Sequence, residues 1–499
     1  MPLRNKVKPE ETQFDLAQVL RLGKDTVFYG GTSAATKVVS LALVPLYTRF
    51  FVPSEYGVIE LLLTASALLS RIFSVGVDSA LLRFYGDSPS QDRRKLASAA
   101  LWHMLAAGAP VCVVSSLFSR QISSWLFNSS VHSDLVALML LTIPFVMIGW
   151  IPQDLTRLRF EKLKYNFLMV GGSIFYGIAA VVLVLLLHKG LWGVMLSQFL
   201  RASLFGILGI MLVRQGLSLR IDFGAVKRLL AFGAPLLPAS VALWVSSSSD
   251  RFFLARFASL HSVGVYSVAN RLAWVQWFVF SSFQLAFTPI AYSIYKRPGA
   301  HTVFRKVFIY YLALSSILGI GISIFGLNIL RILTPQAYHP AYVAVGLLNL
   351  SVILHGAFYI FGIGISIAKR TKYFAYSYVA GAMANIVLNL LLIPAFGVTG
   401  AASATSISFA ITAILGSYWS RRSYPLYLPL RKVILICAFF LSFNALGILI
   451  DSSLGGHIPS KMLTFFAFTI CILLLLDRED QILLVRLLKR LVKTGRRRL

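Results

Sequence analysis

Four basic residues lie inside long apolar stretches of the sequence. Lys37, Arg71, Arg201 and Arg271 each have apolar residues on both sides, and a charged group at the centre of a bilayer costs about 3 kcal/mol on insertion scales. Each of them therefore needs a partner, water or a ligand. Because Arg and Lys are the side chains that recognise phosphate groups, the sequence predicts a site for an anion such as pyrophosphate, with these four cations as its binding residues.

A polar stripe runs along one of the same apolar stretches. Glu60, Arg71 and Asp78 are spaced 11 and 7 residues apart, so they fall on one face of a helix with 3.6 residues per turn. Thr64 and Ser74 extend that face. A polar face along a membrane helix indicates the wall of a water-filled cavity.

The same charges have an alternative role as structural ion pairs. In that arrangement Lys37 pairs with Glu60, and Arg71 pairs with Asp78. It leaves Arg201 without a carboxylate, and Arg271 as well. The surplus of positive charge therefore still favours an anionic ligand.

Carboxylates are also the groups through which an ion gradient would drive transport. The sequence has no Asp or Glu between Asp250 and Asp451, so a carboxylate that couples transport to H⁺ or Na⁺ must come from an earlier part of the chain. Glu60, Asp78 and Asp250 are the candidates. Two further candidates for the polar wall of the cavity lie in the eleventh predicted helix: Asn385 and Asn389.

Membrane helices carry these residues. The 499-residue chain is 57% hydrophobic, with a mean hydropathy of +0.76. Apolar runs of about 18 to 25 residues, each long enough to cross a bilayer, recur to its end. They predict an all-α integral membrane protein with fourteen transmembrane helices. The predicted ranges are 27–49, 54–80, 95–117, 134–153, 166–187, 190–213, 229–250, 264–288, 307–326, 342–366, 374–395, 399–420, 433–450 and 460–476.

The net charge of +29 is concentrated on one side of this predicted topology. Most of the 47 Lys and Arg residues fall in the N-terminus, in alternate loops and in the C-terminus. The positive-inside rule assigns such segments to the cytoplasm, which argues against a nucleic-acid-binding surface. We therefore expect a multi-pass protein of the bacterial or archaeal cytoplasmic membrane, with both termini in the cytoplasm.

The chain contains an internal repeat. The segment RFFVPSEYGV at 49–58 returns as RFASLHSVGV at 256–265, and segments 190–209 and 397–416 keep the same offset of 207 residues. Gly57 and Gly264 are one pair of glycines at that offset. Two distant segments in one register indicate a duplicated unit of six helices. An even number of helices gives both copies the same orientation in the membrane, with a substrate path between them.

The repeat divides the chain into five predicted segments. They are a cytoplasmic N-terminal segment (1–26), a first lobe of six helices (27–213), a second lobe of six helices (214–420), two extra helices (421–476) and a basic amphipathic cytoplasmic tail (477–499).

Several segments resemble a known family of transporters. PLYTRFFVPSEYGVIELLLTASALL, followed by GVDSALLRFY, resembles the first two helices of the polysaccharide-biosynthesis flippases (O-antigen-type) of the multidrug/oligosaccharidyl-lipid/polysaccharide exporter superfamily. FGAPLLPASVALWVSSSSDRFFLARF and VGVYSVANRLA resemble the start of that family's second lobe, and IPAFGVTGAASATSISF resembles its helix 11–12 junction. Together these segments extend the resemblance over most of the chain.

The resemblance implies a MATE-like exporter that turns a lipid-linked oligosaccharide, usually on undecaprenyl pyrophosphate, from the cytoplasmic to the outer leaflet. Members use alternating access around a cationic cavity lined largely by helices 1, 2, 7 and 8. Lys37, Arg71 and Arg271 fall on those helices, with Asp250 and Arg251 at the outer end of helix 7. The implied partners are the lipid-linked glycan, membrane lipids and glycan polymerase or ligase machinery.

Other functions stay open at this point. Lipid II flippases are related proteins with fourteen helices, but helix 1 of this sequence carries only Lys37 where they have an arginine-rich entry. Surplus cavity cations would repel the substrates of a cation-coupled multidrug antiporter. The chain has no nucleophile constellation, Gly-rich phosphate loop or metal-ligand cluster, so we predict neither an enzyme nor a bound cofactor. A non-transporting scaffold in a glycan-assembly complex is the remaining alternative.

Overall fold

The computed structural model of the protein describes residues 16–424, 429–453, 455–477 and 481. The start of the predicted N-terminal segment and most of the predicted tail lie outside these residues. Every regular element in the described ranges is helical, and none is a strand. The helices are α1 Leu16–Phe50, α2 Pro53–Ser74, α3 Val77–Asp87, α4 Ser90–Leu117, α5 Ser119–Phe127, α6 Ser133–Leu158, α7 Lys162–Asn166, α8 Gly172–Val181, α9 Gly190–Val213, α10 Phe223–Gly233, α11 Leu237–Ser248, α12 Asp250–Phe257, α13 Leu260–Ile294, α14 Ala300–Ile324, α15 Gly326–Leu333, α16 Tyr342–Phe361, α17 Ile363–Ile367, α18 Lys372–Ser423, α19 Leu430–Ser453 and α20 Ile458–Leu474.

Ten of the described helical segments are long and apolar enough to cross a membrane. The 35-residue helices α1 and α13 are not among these ten. Helix α20 is apolar but has only 17 residues. The structure therefore confirms an all-helical membrane protein, whereas the count of fourteen spans stays a prediction.

Helix ends recur at the 207-residue offset of the repeat. Helix α1 covers Leu16–Phe50, and the series α10 to α12 covers Phe223–Phe257. Helices α2 and α13 begin at equivalent positions, and so do α5 and α15. Gly190 and Gly397, which are also equivalent, both have left-handed backbone with φ of 53° and 52°. Gly397 interrupts the 52-residue α18 between two predicted helices. This agreement is what a duplicated helical unit requires.

The two copies of the repeat meet at Gly57 on α2 and Gly264 on α13. A Cβ atom on Gly57 would clash with the carbonyl oxygen of Leu260, and a Cβ atom on Gly264 would clash with the carbonyl oxygen of Pro53. The contact is reciprocal. Gly57 packs against the residue four positions before Gly264, and Gly264 packs against the residue four positions before Gly57. Only glycine permits two helix backbones to approach this closely.

Two predicted helix boundaries are wrong. The helix predicted at 54–80 ends at Ser74, because Val75 and Gly76 adopt left-handed backbone with φ of 50° and 71°. Gly76 packs directly on the backbone of Gly233, and this contact positions the break. The helix predicted at 229–250 continues through α12 to Phe257, so Asp250 and Arg251 are buried rather than at the end of the helix.

Polar contacts attach α19 and α20 to the second repeat at both ends. At one end the ammonium of Lys461, which is fully buried, lies 2.5 Å from Asp451 Oδ1 and donates a hydrogen bond to Asn328. At the other end Lys432 donates a 2.6 Å hydrogen bond to Asp477, and Arg305 lies 3.8 Å from the same carboxylate. Lys432 is the main reason that the pKa of Asp477 lies below its usual range. These contacts hold the extra helix pair against α14.

Substituting Gly57 with alanine tests the reciprocal helix contact. We expect Gly57→Ala to lower the thermal unfolding temperature of the purified protein, because overpacking of this kind costs about 1–3 kcal/mol. Gly86→Ala is the matched control, since a Cβ atom there meets no atom within 4 Å. Equal unfolding temperatures for the two variants would contradict the contact.

Candidate functional site

Two adjoining cavities lie where α1, α13 and the second repeat meet. The smaller cavity, of about 210 Å³, is lined by α1 and α13 and includes Arg271. The larger, of about 410 Å³, is lined by α11, α12, α13, α16 and α18 and includes Arg251. Lys37 and Trp274 line both cavities. Three cations from three helices therefore surround one connected region.

Glu60 holds two of these cations. One of its carboxylate oxygens accepts a hydrogen bond from Arg271 Nη2, and the other lies 3.9 Å from Arg251 Nε. The three side chains are buried, with exposed fractions of 8%, 14% and 6% for Glu60, Arg271 and Arg251. Glu60 lies on α2 and both arginines lie in the second repeat, so these ion pairs join the two copies.

Lys37 is the cavity cation without a carboxylate. Its side chain makes no ion pair or hydrogen bond with any residue in the described part of the chain. The alternative pairing of Lys37 with Glu60 is therefore wrong, since Glu60 is held by Arg271 and Arg251. The sequence analysis left Arg271 without a partner. Among the four predicted cations, however, Arg271 has the closest acidic partner.

Asp250 is the centre of a buried polar cluster next to the larger cavity. Tyr266 donates a hydrogen bond to its carboxylate, Thr405 Oγ1 donates a second at 2.7 Å, and Asn389 Nδ2 donates a third at 3.3 Å. Asn389 also donates to Asn385 Oδ1 at 2.9 Å, while its own Oδ1 is buried without a partner. The two predicted asparagines thus meet at Asp250.

The described residues contain no group of three or more His, Cys, Asp or Glu that would suit a metal ion. The Asp250 cluster instead offers a single carboxylate together with neutral amide and hydroxyl oxygens. One negative charge matches a monovalent cation better than a divalent one.

Arg71 and Asp78 form the other predicted pair. Arg71 Nη1 lies 3.3 Å from Asp78 Oδ2, and the guanidinium also lies over the ring of Trp150 at 5.2 Å. The pairing of Arg71 with Asp78 is therefore confirmed, and the side chain of Arg71 is 44% exposed. Neither residue lines the two cavities around Lys37.

The remaining predicted side chains, those of Thr64, Ser74 and Arg201, do not line the two cavities. Thr64 Oγ1 donates to the carbonyl of Glu60, and Ser74 Oγ donates to the carbonyl of Arg71. Arg201 lies beside Gly172 on α8, away from both cavities, and its side chain has no ion pair or hydrogen bond with the residues that the structure describes. The structure thus brings together Lys37 and Arg271 but not the other two predicted cations.

Tyr266 and Thr405 are cavity residues that the sequence did not indicate. Both line the larger cavity and both bind Asp250. A tyrosine and a threonine inside apolar helices carry no distinctive signal. The neighbouring Asp250-Arg251 dipeptide, by contrast, is a signal, since two consecutive charged residues there interrupt a span that continues to Phe257.

Comparison with known proteins gives a family match. A family model described as "Polysaccharide biosynthesis protein" matches residues 46–325, which is more than half of the chain. The succinoglycan biosynthesis transport protein ExoT of Rhizobium meliloti (strain 1021) is 26% identical over 235 residues. That alignment covers 46% of this chain and 45% of the relative, so the two match over about half of their lengths. These matches confirm the resemblance found in the sequence.

Solved structures share the fold. A lipid II flippase MurJ in an inward closed conformation has a TM-score of 0.71 at 15% identity, covering 88% of this chain and 97% of that chain. An inward-facing multidrug resistance MATE family transporter of the MOP superfamily has a TM-score of 0.64 at 14% identity, covering 78% of this chain and 94% of that chain. At these identities the likeness concerns the fold alone.

Replacing Glu60 tests the buried ion pairs. Glu60→Gln should lower the unfolding temperature clearly, because removing one partner of a buried charge pair costs about 3–5 kcal/mol. Asp87→Asn breaks the exposed pair with Arg83 and serves as the control, since such pairs contribute about 0–1 kcal/mol. If the two variants unfold at the same temperature, Glu60 does not hold the two arginines in solution.

Proposed function

Because the chain belongs to the polysaccharide biosynthesis protein family, we propose that it is a flippase for a lipid-linked oligosaccharide. The substrate is a glycan on undecaprenyl pyrophosphate, which the protein moves from the cytoplasmic to the outer leaflet by alternating access. It works in a bacterial or archaeal cytoplasmic membrane with both termini in the cytoplasm. Glycan polymerase or ligase machinery receives the product on the outer side.

The convergence of Lys37, Arg251 and Arg271 is the observation that carries this proposal. The one carboxylate that pairs with these cations is Glu60, and Lys37 has no acidic partner among the described residues. Lys and Arg provide charge-assisted hydrogen bonds for phosphate oxygens. A pyrophosphate therefore suits this cavity, and a cationic drug does not.

The gap between α1 and α13 offers a path for the headgroup. The smaller cavity lies in this gap, and its walls include the apolar side chains of Val38 and Trp274, which are 64% and 44% exposed. A surface of this kind faces lipid in a membrane. The polyprenyl chain accordingly stays in the bilayer while the charged headgroup enters between the two helices.

Contacts at the predicted external end favour entry from the cytoplasm. Gly57 and Gly264 bring α2 and α13 together there, and Tyr338 donates a 2.7 Å hydrogen bond to the carbonyl of Phe51. With the external ends of the two copies in contact, a headgroup has access from the opposite side. Transport then requires this contact to open.

Glu60 couples binding to that opening. The carboxylate occupies the arginine groups that a phosphate would contact, and so the two anions compete for Arg271 and Arg251. When a phosphate takes over these arginines, the link between α2 and the second repeat is lost. Attraction for the substrate is moderated by the same competition, which permits release on the outer side.

Asp250 is the group that we assign to ion coupling. A proton or a sodium ion bound at its carboxylate would reset the cycle, with Thr405, Asn385 and Asn389 supplying neutral oxygens. The buried Asn389 Oδ1 has no partner in the protein, which fits a cation ligand. Glu60 suits this role less well because its carboxylate already binds two arginines.

A lipid II flippase is the second candidate, and it shares both the fold and a pyrophosphate. The likeness to MurJ is a likeness of fold at 15% identity, whereas the family match spans more than half of the chain. We therefore rank the oligosaccharide substrate first.

Transport by purified protein in liposomes tests the flippase function. The probe is a short-chain polyprenyl pyrophosphate that carries one N-acetylhexosamine, and its leaflet is read with an impermeant sugar-binding lectin. Arg271→Gln and Lys37→Gln should each slow flipping by about tenfold or more, since a charge-assisted contact to phosphate is worth about 1.5–3 kcal/mol. Arg83→Gln, which removes an exposed cation outside the cavity, should flip the probe normally. Normal flipping by both cavity variants would rule out this site.

Replacing Asp250 tests the coupling. Flipping by the native protein should respond to a sodium or a proton gradient across the liposome, and Asp250→Asn should abolish that response while binding of the probe persists. Asp134→Asn is the control, because Asp134 lies in the first turn of α6 outside the cluster. A gradient response that survives in Asp250→Asn would assign coupling elsewhere.

A further inference from the structure

The larger cavity is a recess lined by the second repeat apart from Lys37, and away from Lys37 and Arg251 its wall differs in chemistry from the cationic junction. Aromatic rings and neutral polar groups form most of this wall. Six of its residues carry the argument: Tyr266, Trp277, His355, Ser247, Asn270 and Ser351. We call this cavity of about 410 Å³ the recess.

At two positions the first repeat has an aliphatic residue where the recess has a polar one. At the 207-residue offset, Leu63 corresponds to Asn270 and Ile148 corresponds to His355. Ile148 is 5% exposed and belongs to the packed core of the first repeat. The same helices in the same fold thus pack well without polar side chains at these positions. The polar wall of the second repeat is therefore not a requirement of the architecture.

Two polar groups of the recess have no hydrogen-bond partner among the described residues. His355 is 4% exposed, and its Nδ1 atom is buried without a hydrogen bond. The side-chain amide of Asn270 makes no hydrogen bond with the part of the chain that the structure describes. A buried polar group without a partner costs about 1–3 kcal/mol, and this cost applies to His355 Nδ1, whereas the amide of Asn270 is only partly buried. Both groups can pair with a ligand.

We propose that the recess binds the first sugar rings of the lipid-linked glycan, next to the pyrophosphate. Sugar rings have apolar faces that pack on aromatic side chains, and hydroxyl groups that pair with amide, hydroxyl and imidazole groups. The volume lies in the range of small-molecule sites and holds on the order of one or two hexose rings. This inference rests on the proposed flippase function and extends it to recognition of the sugar.

The order of groups along the cavities fits the order of groups in such a substrate. Lys37 and Trp274 line both cavities, which places positive charge at their junction. A pyrophosphate at the junction has the gap between α1 and α13 on one side, for its lipid chain. The recess lies on the other side and takes the sugar. Specificity for the glycan is thus set by the second repeat alone.

Binding measurements on the full chain in lipid nanodiscs test this assignment. Two probes are compared, a short-chain polyprenyl pyrophosphate without sugar and the same lipid with one N-acetylhexosamine. Asn270→Leu and His355→Ile give the recess the residues of the first repeat. His261→Ile, on the exposed first turn of α13, is the control, and unfolding temperatures identify variants that do not fold.

The native protein and the control should bind the sugar-bearing probe about tenfold more tightly than the sugar-free probe. In Asn270→Leu and His355→Ile that preference should disappear, while affinity for the sugar-free probe changes by less than about twofold. A preference for sugar that persists in the folded recess variants would overturn the proposal, and so would its absence in the native protein. A different result is expected if the proposed flippase function itself is wrong. In that case neither probe binds, and Arg271→Gln does not change binding.

Discussion

The ion pairs between Glu60 and the two arginines keep charge inside a protein whose outer surface must suit hydrocarbon. Each charged group alone would lose several kcal/mol on leaving water, and together they form a network that spans the two copies of the repeat. The network pairs two of the three cavity cations with a single carboxylate, so a net positive charge is left even before Lys37 is counted. Lys37 has no acidic partner among the described residues. Under the proposed function, the side chains that hold the two copies together are also those that bind the anion.

The two halves share a framework but differ in the residues that they place on it. Helix ends and left-handed glycines recur at one offset, so the backbone architecture is shared. The residues on that backbone have diverged. Arg271 corresponds to Thr64, and Asn270 corresponds to Leu63. The first repeat supplies Lys37 and Glu60 to an interface that is otherwise furnished by the second.

The sequence was informative wherever the signal was local. A charged residue in an apolar stretch stands out by itself, which is why Lys37 and Arg271 were found without a structure. The pairing of Arg271 with Glu60 was missed because the two residues are far apart in the chain and meet only through the packing of α2 on α13. The break at Gly76 was missed because the cause, the backbone of Gly233, also lies far away in sequence. The sequence predicts a helix end at Asp250 and Arg251 because these charged residues and the serines before them lower the local hydropathy. In the structure α12 continues for about two more turns.

Gly57 and Gly264 face each other at equivalent positions of the repeat, and their contacts are reciprocal. Such a contact has the geometry of an isologous dimer interface, in which a patch on one subunit meets the same patch on its partner. In a single six-helix ancestor one glycine codon would have served both sides, and any side chain there would have collided with its own copy. Fusion of two such halves would have given each position its own codon. Neither position can accept a larger residue, however, because each glycine still packs against the backbone of the other copy.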